Sequence, residues 1–300
     1  MRTHVIAAIG HVALQVRDLD AAVDHAVGVM GLRETERTAD RVDLTHGAPH
    51  HSLQYLRSDV DAVDHVGLEA AGPEAVAVIR SRLEARGIPL LTDGPLDDCL
   101  TDGLSFVAPG GFVFEVYTGM PQDQPPYLAT GVRPKRFGHV NFGLEDPQPM
   151  IDLLLDVLDF RISDSFRGGA FTRCNAEHHG IGVLKGRGIL AHHAWEVEGI
   201  ADLGRLGDVL DDLGTNVLAG PVRHGMGNNI AAYMAGPGDI LIEYYCDMLR
   251  IYDDSTYVPG VWAEDGHKWY SRWSPDLPGP AARELGAPPA PRRIEHKERA

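Results

Sequence analysis

Three residues of metal-binding types stand in separate strand-like segments of the C-terminal half of the chain. His139 lies in RFGHVNFGL, His193 in AHHAWEV and Glu243 in ILIEYY. Two neutral imidazoles and one carboxylate form the facial triad of non-haem Fe(II) sites, which leaves the opposite face of the metal open. The open face can accept both oxygens of a bidentate substrate together with one O2. The single carboxylate leaves the metal positively charged, which favours an anionic substrate.

The same set of residue types recurs in the N-terminal half. A shift of 128 residues also superposes APHHSLQYL on AEHHGIGVL and FVFEVY on ILIEYY, which indicates a duplicated module. Neighbouring residues of a strand point to opposite faces, and this offset pairs His65 with His193 rather than with His192. The sequence therefore predicts His193 as the ligand. The three superposed pairs are His11 with His139, His65 with His193, and Glu115 with Glu243.

The periodicity of each half predicts two units of the type βαβββ, so that four units build two half-barrels of an α+β fold. DLDAAVDHAVGVMGL and PEAVAVIRSRLEARG have apolar residues at helical spacing, and SFVAPGGFVFEVY predicts a hairpin. Two or three strands follow the first helix, and the His-His pair is predicted to lie in the last of them. Five segments result: an N-terminal structural module (1–120), a Pro-rich linker (121–135), a catalytic metal-binding module (136–250), an aromatic C-terminal extension (251–278) and a disordered tail (279–300).

Polar residues around the predicted metal site distinguish the two modules. The second module has His179, His224 and Tyr233, whereas the 128-residue offset places Leu96 and Ser105 at the last two positions in the first module. A metal site that moves protons needs neighbours that donate and accept them. The second module is therefore predicted to be catalytic. The first is predicted to be a structural duplicate whose His11, His65 and Glu115 are held by hydrogen bonds rather than by a working metal.

Composition excludes several classes of protein. The formal net charge is −16 and no basic patch is present, which argues against nucleic acid as a partner. The three cysteines include no CxxC pair, and no apolar run is long enough for a membrane span. The N-terminus has no signal-peptide pattern. We therefore expect a cytoplasmic protein.

Residues 7–250 resemble the two-module extradiol catechol dioxygenases of the vicinal oxygen chelate superfamily. The resemblance rests on FGHVNF, AEHHGIGVL, LAHHAWEVEG and GPVRHG, followed by Tyr and Glu at the spacing of that family. It implies Fe(II), with Mn(II) as an alternative, bound by His139, His193 and Glu243. It also implies that His179 is the acid–base residue, and that the substrates are a catechol and O2. The family commonly forms homo-oligomers.

Further residues bear on the substrate. The resemblance implies hydrogen bonds from His224 and Tyr233 to the bound catechol. Asn141 matches an Asn of the homoprotocatechuate and manganese-using branches, and Phe171 matches the ring pocket of the biphenyl branch. Ala219 stands where relatives that act on carboxylated catechols can carry Arg. These matches favour an apolar-substituted or polycyclic catechol.

Two other classes of function stay open at this point. The first is another metal enzyme of the superfamily, either a glyoxalase-type isomerase or a 2-oxo acid dioxygenase, which shares the fold and some ligands. The second is a metal-free module that binds an aromatic ligand. The aromatic segment WAEDGHKWYSRWSPDLP could cover the active site or form an oligomer contact.

Overall fold

A computed structural model describes residues 4–166, 168–263, 267–275, 279 and 283–291 of the 300-residue chain. Within these ranges no α-helix combines the length and the apolar character needed to cross a membrane. The chain forms two large mixed sheets, one from each half of the sequence, with α-helices beside them.

The first sheet comes from the N-terminal half. The strand order in this sheet is β2-β3-β4-β1-β5-β8-β7-β6. The strands and α-helices are β1 (Ile6–Val16), α1 (Leu19–Gly28), β2 (Arg33–Arg37), β3 (Arg41–Thr45), β4 (Leu53–Arg57), β5 (Ala62–Ala70), α2 (Pro73–Ala85), β6 (Leu90–Thr92), β7 (Asp102–Val107) and β8 (Val113–Thr118).

The second sheet repeats this arrangement and adds one strand from the C-terminal extension. Its order is β14-β15-β16-β13-β9-β12-β11-β10-β17. The elements are β9 (Arg136–Leu144), α3 (Gln148–Asp156), β10 (Arg161–Phe166), β11 (Gly169–Arg173), β12 (Ile181–Lys185), β13 (Ile189–Glu196), α4 (Ile200–Asp212), β14 (Ala219–Arg223), β15 (Ile230–Ala235), β16 (Leu241–Cys246) and β17 (Gly260–Trp262).

The predicted α+β fold of paired βαβββ units is confirmed. In each sheet the two units join through their first strands, which pair antiparallel as β1 with β5 and as β9 with β13. Within a unit the first strand also pairs parallel with the last, as β9 does with β12 and β13 with β16. The middle of each sheet is thus formed by the strands that carry the predicted ligands.

The two halves share one apolar core. The ring of Phe142 in β9 lies 4.7 Å from that of Phe112 and 5.9 Å from that of Phe114 in β8 (centroid distances). The buried Tyr244 hydroxyl donates to the Met30 carbonyl oxygen of the first half at 2.9 Å. Since burial of an aromatic side chain contributes about 1.5–3 kcal/mol, these contacts fix the position of the second sheet against the first.

Two expectations from the sequence are wrong. The His-His pairs lie just before β4 and β12 rather than within them. The predicted disordered tail includes residues 283–291, which are held by backbone hydrogen bonds to both halves: Ala287 pairs with Leu190, and Ala290 N donates to the Val63 carbonyl oxygen. Leu190 and Val63 lie near the starts of β13 and β5, before the pairing with β16 and with β8 begins, so their backbone groups can bond to this segment. The end of the predicted tail, 292–300, lies outside the described residues.

Candidate metal centre and active site

Two buried side chains and the partly buried His192, from neighbouring strands, converge in the second module. His192 Nε2 lies 3.3 Å from His139 Nε2 and 3.1 Å from Glu243 Oε2, and His139 Nε2 lies 3.4 Å from Glu243 Oε2. The second histidine of this cluster is therefore His192, and the prediction of His193 is corrected by the structure. The other two predicted residues, His139 and Glu243, are brought together.

The error arises from a turn of different length in the two modules. Four residues separate β4 from β5, whereas three separate β12 from β13. The 128-residue offset therefore becomes 127 in β5 and β13, and His65 corresponds to His192. The strand pairing supports this correspondence. His65 lies opposite Ala13 and His192 lies opposite Asn141, and Ala13 and Asn141 are equivalent positions of the two modules. A shift of one residue exchanges the two faces of a strand.

His193 points to the other face of β13, into an apolar environment. Its Nδ1 accepts a hydrogen bond from Trp195 Nε1 at 2.8 Å, and its Nε2 has no hydrogen-bond partner among the described residues. Burial lowers the pKa of His193 to about 3, so the ring is neutral. The side chain packs near Phe137 and Trp195 as part of the core.

The donor atoms of the cluster fit a divalent metal. Ligand bonds of about 2.0–2.2 Å place neighbouring donor atoms about 3 Å apart, as the three Nε2 and Oε2 atoms are. The second oxygen of the carboxylate, Glu243 Oε1, accepts a hydrogen bond from Asn229 Nδ2 at 2.9 Å. Burial would raise the pKa of Glu243, but His139 and His192 outweigh it and hold the pKa well below its ordinary value. The carboxylate is therefore ionised.

A cavity of about 280 Å³ opens beside these donor atoms. His179 lines it, with its ring centroid 4.4 Å from that of His139. Burial lowers the pKa of His179 well below its ordinary value, so the imidazole is neutral. A neutral imidazole at the cavity wall can accept a proton from a bound ligand and return it.

A chain of hydrogen bonds behind His179 orients its ring. His178 Nδ1 lies 3.1 Å from His179 Nδ1, and His178 Nε2 lies 3.1 Å from Asp164 Oδ2. If the His178 Nε2–H donates to the carboxylate, its Nδ1 accepts from the His179 Nδ1–H. That tautomer leaves His179 Nε2 with a free lone pair. Sequence spacing does not predict a role for Asp164, because it is 15 residues away from His179 along the chain.

His224 and Tyr233 line the same cavity and contact each other. His224 Nδ1 donates to the Tyr270 carbonyl oxygen at 2.6 Å, so in the neutral ring Nε2 accepts from the Tyr233 hydroxyl at 2.8 Å. Burial lowers the pKa of His224 and raises that of Tyr233 well above its ordinary value. Both groups are therefore uncharged hydrogen-bonding groups at the cavity wall.

Comparison with known proteins agrees with this architecture. Residues 136–244 match the model of the Glyoxalase/Bleomycin resistance protein/Dioxygenase superfamily. The matched residues, which lie in the second module, are a domain of this superfamily. The chain also aligns over most of its length with curated relatives and with a solved structure.

Two relatives and one structure illustrate the similarity. The manganese-dependent 2,3-dihydroxybiphenyl 1,2-dioxygenase of Geobacillus genomosp. 3 is 26% identical, over 89% of this chain and 95% of its own. The iron-dependent extradiol dioxygenase of Rhodococcus jostii (strain RHA1) is 25% identical, over 87% and 97%. The structure of the Mn(II)-bound glyoxalase from Novosphingobium aromaticivorans superposes with a TM-score of 0.83, at 27% identity and 96% coverage of both chains.

The remaining predicted site residues also lie at the cavity. Asn141 and Phe171 line its wall, and the Phe171 ring meets that of His179 edge-on at 4.9 Å. The C-terminal extension contributes Trp269 and Tyr270. Trp269 stacks on Phe166 with a centroid distance of 4.5 Å, so part of the aromatic extension covers the site.

Asn229, which no sequence motif indicated, donates to the carboxylate of Glu243. We expect Asn229→Ala to weaken divalent metal binding about 10–100-fold, because outer hydrogen-bond partners orient ligands and raise affinity. Competition with a metal-binding dye would measure the change. Asn216→Ala, at an exposed position, is the control and should leave affinity unchanged. Equal affinity in Asn229→Ala and the wild type would contradict a supporting role.

Proposed function

We propose that the chain is an extradiol dioxygenase, which opens a catechol ring beside its two hydroxyl groups and incorporates both atoms of O2. One observation carries the proposal: the three converging donor atoms face a cavity that is also lined by His179, His224 and Tyr233. Three ligands on one side leave metal positions open toward the cavity. The characterised relatives, which are named as dioxygenases of this kind, support the same activity.

The metal of the proposed site is Fe(II), with Mn(II) as the alternative, held by His139, His192 and Glu243. When bound, it supplies Lewis acidity that favours the ionised catechol and a redox path between substrate and O2. Relatives named as manganese-dependent and as iron-dependent are 26% and 25% identical to the chain. The ligand set accepts either ion, so metal analysis of the purified protein has to identify which one is bound.

The proposed role of His179 is proton transfer at its Nε2 atom. The neutral ring accepts a proton from a catechol hydroxyl as the substrate binds and returns it to oxygen during cleavage. The hydrogen bonds through His178 to Asp164 keep this nitrogen unprotonated in the resting site. His224 and Tyr233 position the ring of the substrate from the opposite wall.

The cavity walls favour an apolar or polycyclic catechol. Phe171, Leu184, Met226 and Trp269 line it with apolar atoms. Arg283 also lines the cavity, and its guanidinium group is the cation that would bind a substituent carboxylate. A panel of substituted catechols tests the preference, since a carboxylated substrate turned over fastest would contradict it.

The decisive experiment is anaerobic purification with Fe(II), followed by catechols in air. Catechol, 2,3-dihydroxybiphenyl and 3,4-dihydroxyphenylacetate span the relevant ring sizes and charges. The expected result is a yellow ring-opened product with one O2 consumed per ring. With the metal confirmed in the protein, absence of colour and of O2 uptake on every catechol would contradict the proposal.

A glyoxalase-type isomerase is the second candidate. It is favoured by the likeness to the Mn(II)-bound protein named as a glyoxalase. An isomerase consumes no O2, so an oxygen electrode distinguishes the two activities. Conversion of a hemithioacetal without O2 uptake would select the isomerase.

The Tyr233 hydroxyl is expected to matter for turnover and not for metal binding. Tyr233→Phe should lower kcat/KM about tenfold, because loss of a buried hydrogen bond costs about 1–3 kcal/mol. Steady-state kinetics with metal analysis would measure both effects. Tyr252→Phe is the control, since Tyr252 is 83% exposed. Unchanged kinetics in Tyr233→Phe would remove this residue from the site.

The proposal also covers the oligomeric state of the protein and its cellular compartment. We propose a cytoplasmic homo-oligomer. Three free cysteines suit a reducing compartment, and the extension exposes the apolar side chains of Tyr252, Val258 and Val261. Exposed apolar groups of this kind are typical of subunit contacts. Sedimentation velocity would measure the mass, and a monomer at micromolar concentration would contradict the oligomer.

A further inference from the structure

The first module contains a second cluster of metal-binding side chains, separate from the site described above. Its four donor residues are almost completely buried, with exposed fractions of 0% for His11, 3% for His65, 6% for Asp97 and 0% for Glu115. One ligand atom from each lies within 4.8 Å of every other. His11 Nε2 lies 3.0 Å from His65 Nε2 and 3.3 Å from Glu115 Oε2, and His65 Nε2 lies 3.7 Å from Glu115 Oε2.

One oxygen of each carboxylate lacks a hydrogen-bond partner among the described residues. Glu115 Oε1 accepts from the backbone N–H of Leu96, whereas Oε2 has no hydrogen-bond partner among the described residues. Asp97 Oδ1 accepts from Arg41 at 3.2 Å and from Gln54 at 3.1 Å. The other oxygen, Asp97 Oδ2, has no hydrogen-bond partner in the same set. Buried carboxylate oxygens without partners are costly unless a cation neutralises them.

One imidazole of the cluster is oriented as a ligand. His65 Nδ1 lies 2.8 Å from Asp64 Oδ2, so its N–H donates to a carboxylate while Nε2 faces the centre. A carboxylate–histidine pair of this kind is typical of metal ligands, because it fixes the ring and makes the other nitrogen more basic. Hydrogen bonds alone do not satisfy the cluster. A proton between the two Nε2 atoms leaves Glu115 Oε2 without a hydrogen bond, and Asp97 Oδ2 has only the contact with His51 Nε2 at 3.5 Å.

We propose that the first module binds a second divalent metal ion, in a closed structural site formed by His11, His65, Asp97 and Glu115. Zn²⁺ fits the set best. Structural zinc sites have four protein ligands, and tetrahedral bonds of about 2.0–2.2 Å place the donor atoms about 3.3–3.6 Å apart. Two carboxylates neutralise the charge of the ion, which suits a buried site.

The fourth ligand explains why this site is structural. The 128-residue offset places Gly225 of the second module at the position of Asp97. A carboxylate thus fills the coordination position that the second module leaves open toward its cavity. Without an open position the metal cannot take up substrate. This inference does not depend on the proposed dioxygenase activity.

The test counts metal in matched variants of the full chain. The protein is depleted of metal, loaded with Zn²⁺, desalted and analysed by mass spectrometry for zinc per chain. The wild type should retain two equivalents, Glu115→Gln one, Glu243→Gln one, and the double variant none. One equivalent in the wild type together with none in Glu243→Gln would overturn the proposal, as would unchanged zinc in Glu115→Gln.

Cobalt provides a second readout that a misfolded variant cannot imitate. Glu243→Gln loaded with Co²⁺ should show the intense visible absorption of a four-coordinate ion, and adding Asp97→Asn should remove it. Asp97→Asn keeps an oxygen for Arg41 and Gln54, so it also serves if Glu115→Gln fails to fold. Weak absorption typical of a six-coordinate ion in Glu243→Gln would overturn the closed site. Because Glu243→Gln lacks the second-module metal, failure of the proposed activity does not affect this count.

Discussion

His192→Ala is expected to remove the metal of the second module and with it turnover, whereas His193→Ala is expected to retain both. His192 supplies one of three converging donor atoms, 3.1 Å from Glu243 Oε2. Loss of a direct ligand should weaken binding by more than the about 100-fold effect of an outer partner. Metal analysis should show one equivalent fewer per chain in His192→Ala, with product formation below detection.

The His193→Ala variant makes this a discriminating experiment. It removes a buried ring and the acceptor of the Trp195 indole N–H, so the free energy of unfolding should fall by about 2–3 kcal/mol. Thermal melts establish that the variant is folded before metal is counted. The opposite result would identify His193 as the ligand: a folded His193→Ala variant that lacks this metal and a His192→Ala variant that retains it.

His179→Gln is expected to lower kcat about 10²–10⁴-fold while the metal stays bound, the range of a lost general acid–base group. The His179 ring lies at the cavity wall, 4.4 Å from the His139 ring, and is outside the cluster of donor atoms. Glutamine keeps polarity and approximate size but does not transfer protons at neutral pH. Stopped-flow kinetics with metal analysis would separate the two effects.

The duplicated module offers a matched control for this substitution. His51→Gln changes the equivalent residue of the first module, which is also the buried second member of a His-His pair. It should leave ring cleavage near the wild-type rate. Equal losses of turnover in the two variants would indicate a general effect on folding. Full activity in His179→Gln would exclude proton transfer by this residue.

Much of the fold follows from local patterns. Strand-like runs around His11 and His139, and helical spacing in 19–28 and 73–85, determine where the elements form, and the repeat predicts that both halves share one plan. Paired βαβββ units in each half follow from these patterns. The ordering of 283–291 does not, because its partners Leu190 and Val63 are distant in sequence and a Pro- and Ala-rich segment has no periodicity of its own.

The sequence by itself determined the residue types of the site: two strand histidines, a strand glutamate, a His-His pair and the His224–Tyr233 pair. Only the tertiary structure decided which histidine joins Glu243, because a turn shorter by one residue changes the register of β13 and so exchanges His193 for His192. It also brought Asn229 to Glu243, Asp164 to His178, and Asp97 to His11 and His65. These contacts join residues on different elements, and sequence spacing carries no information about such distances.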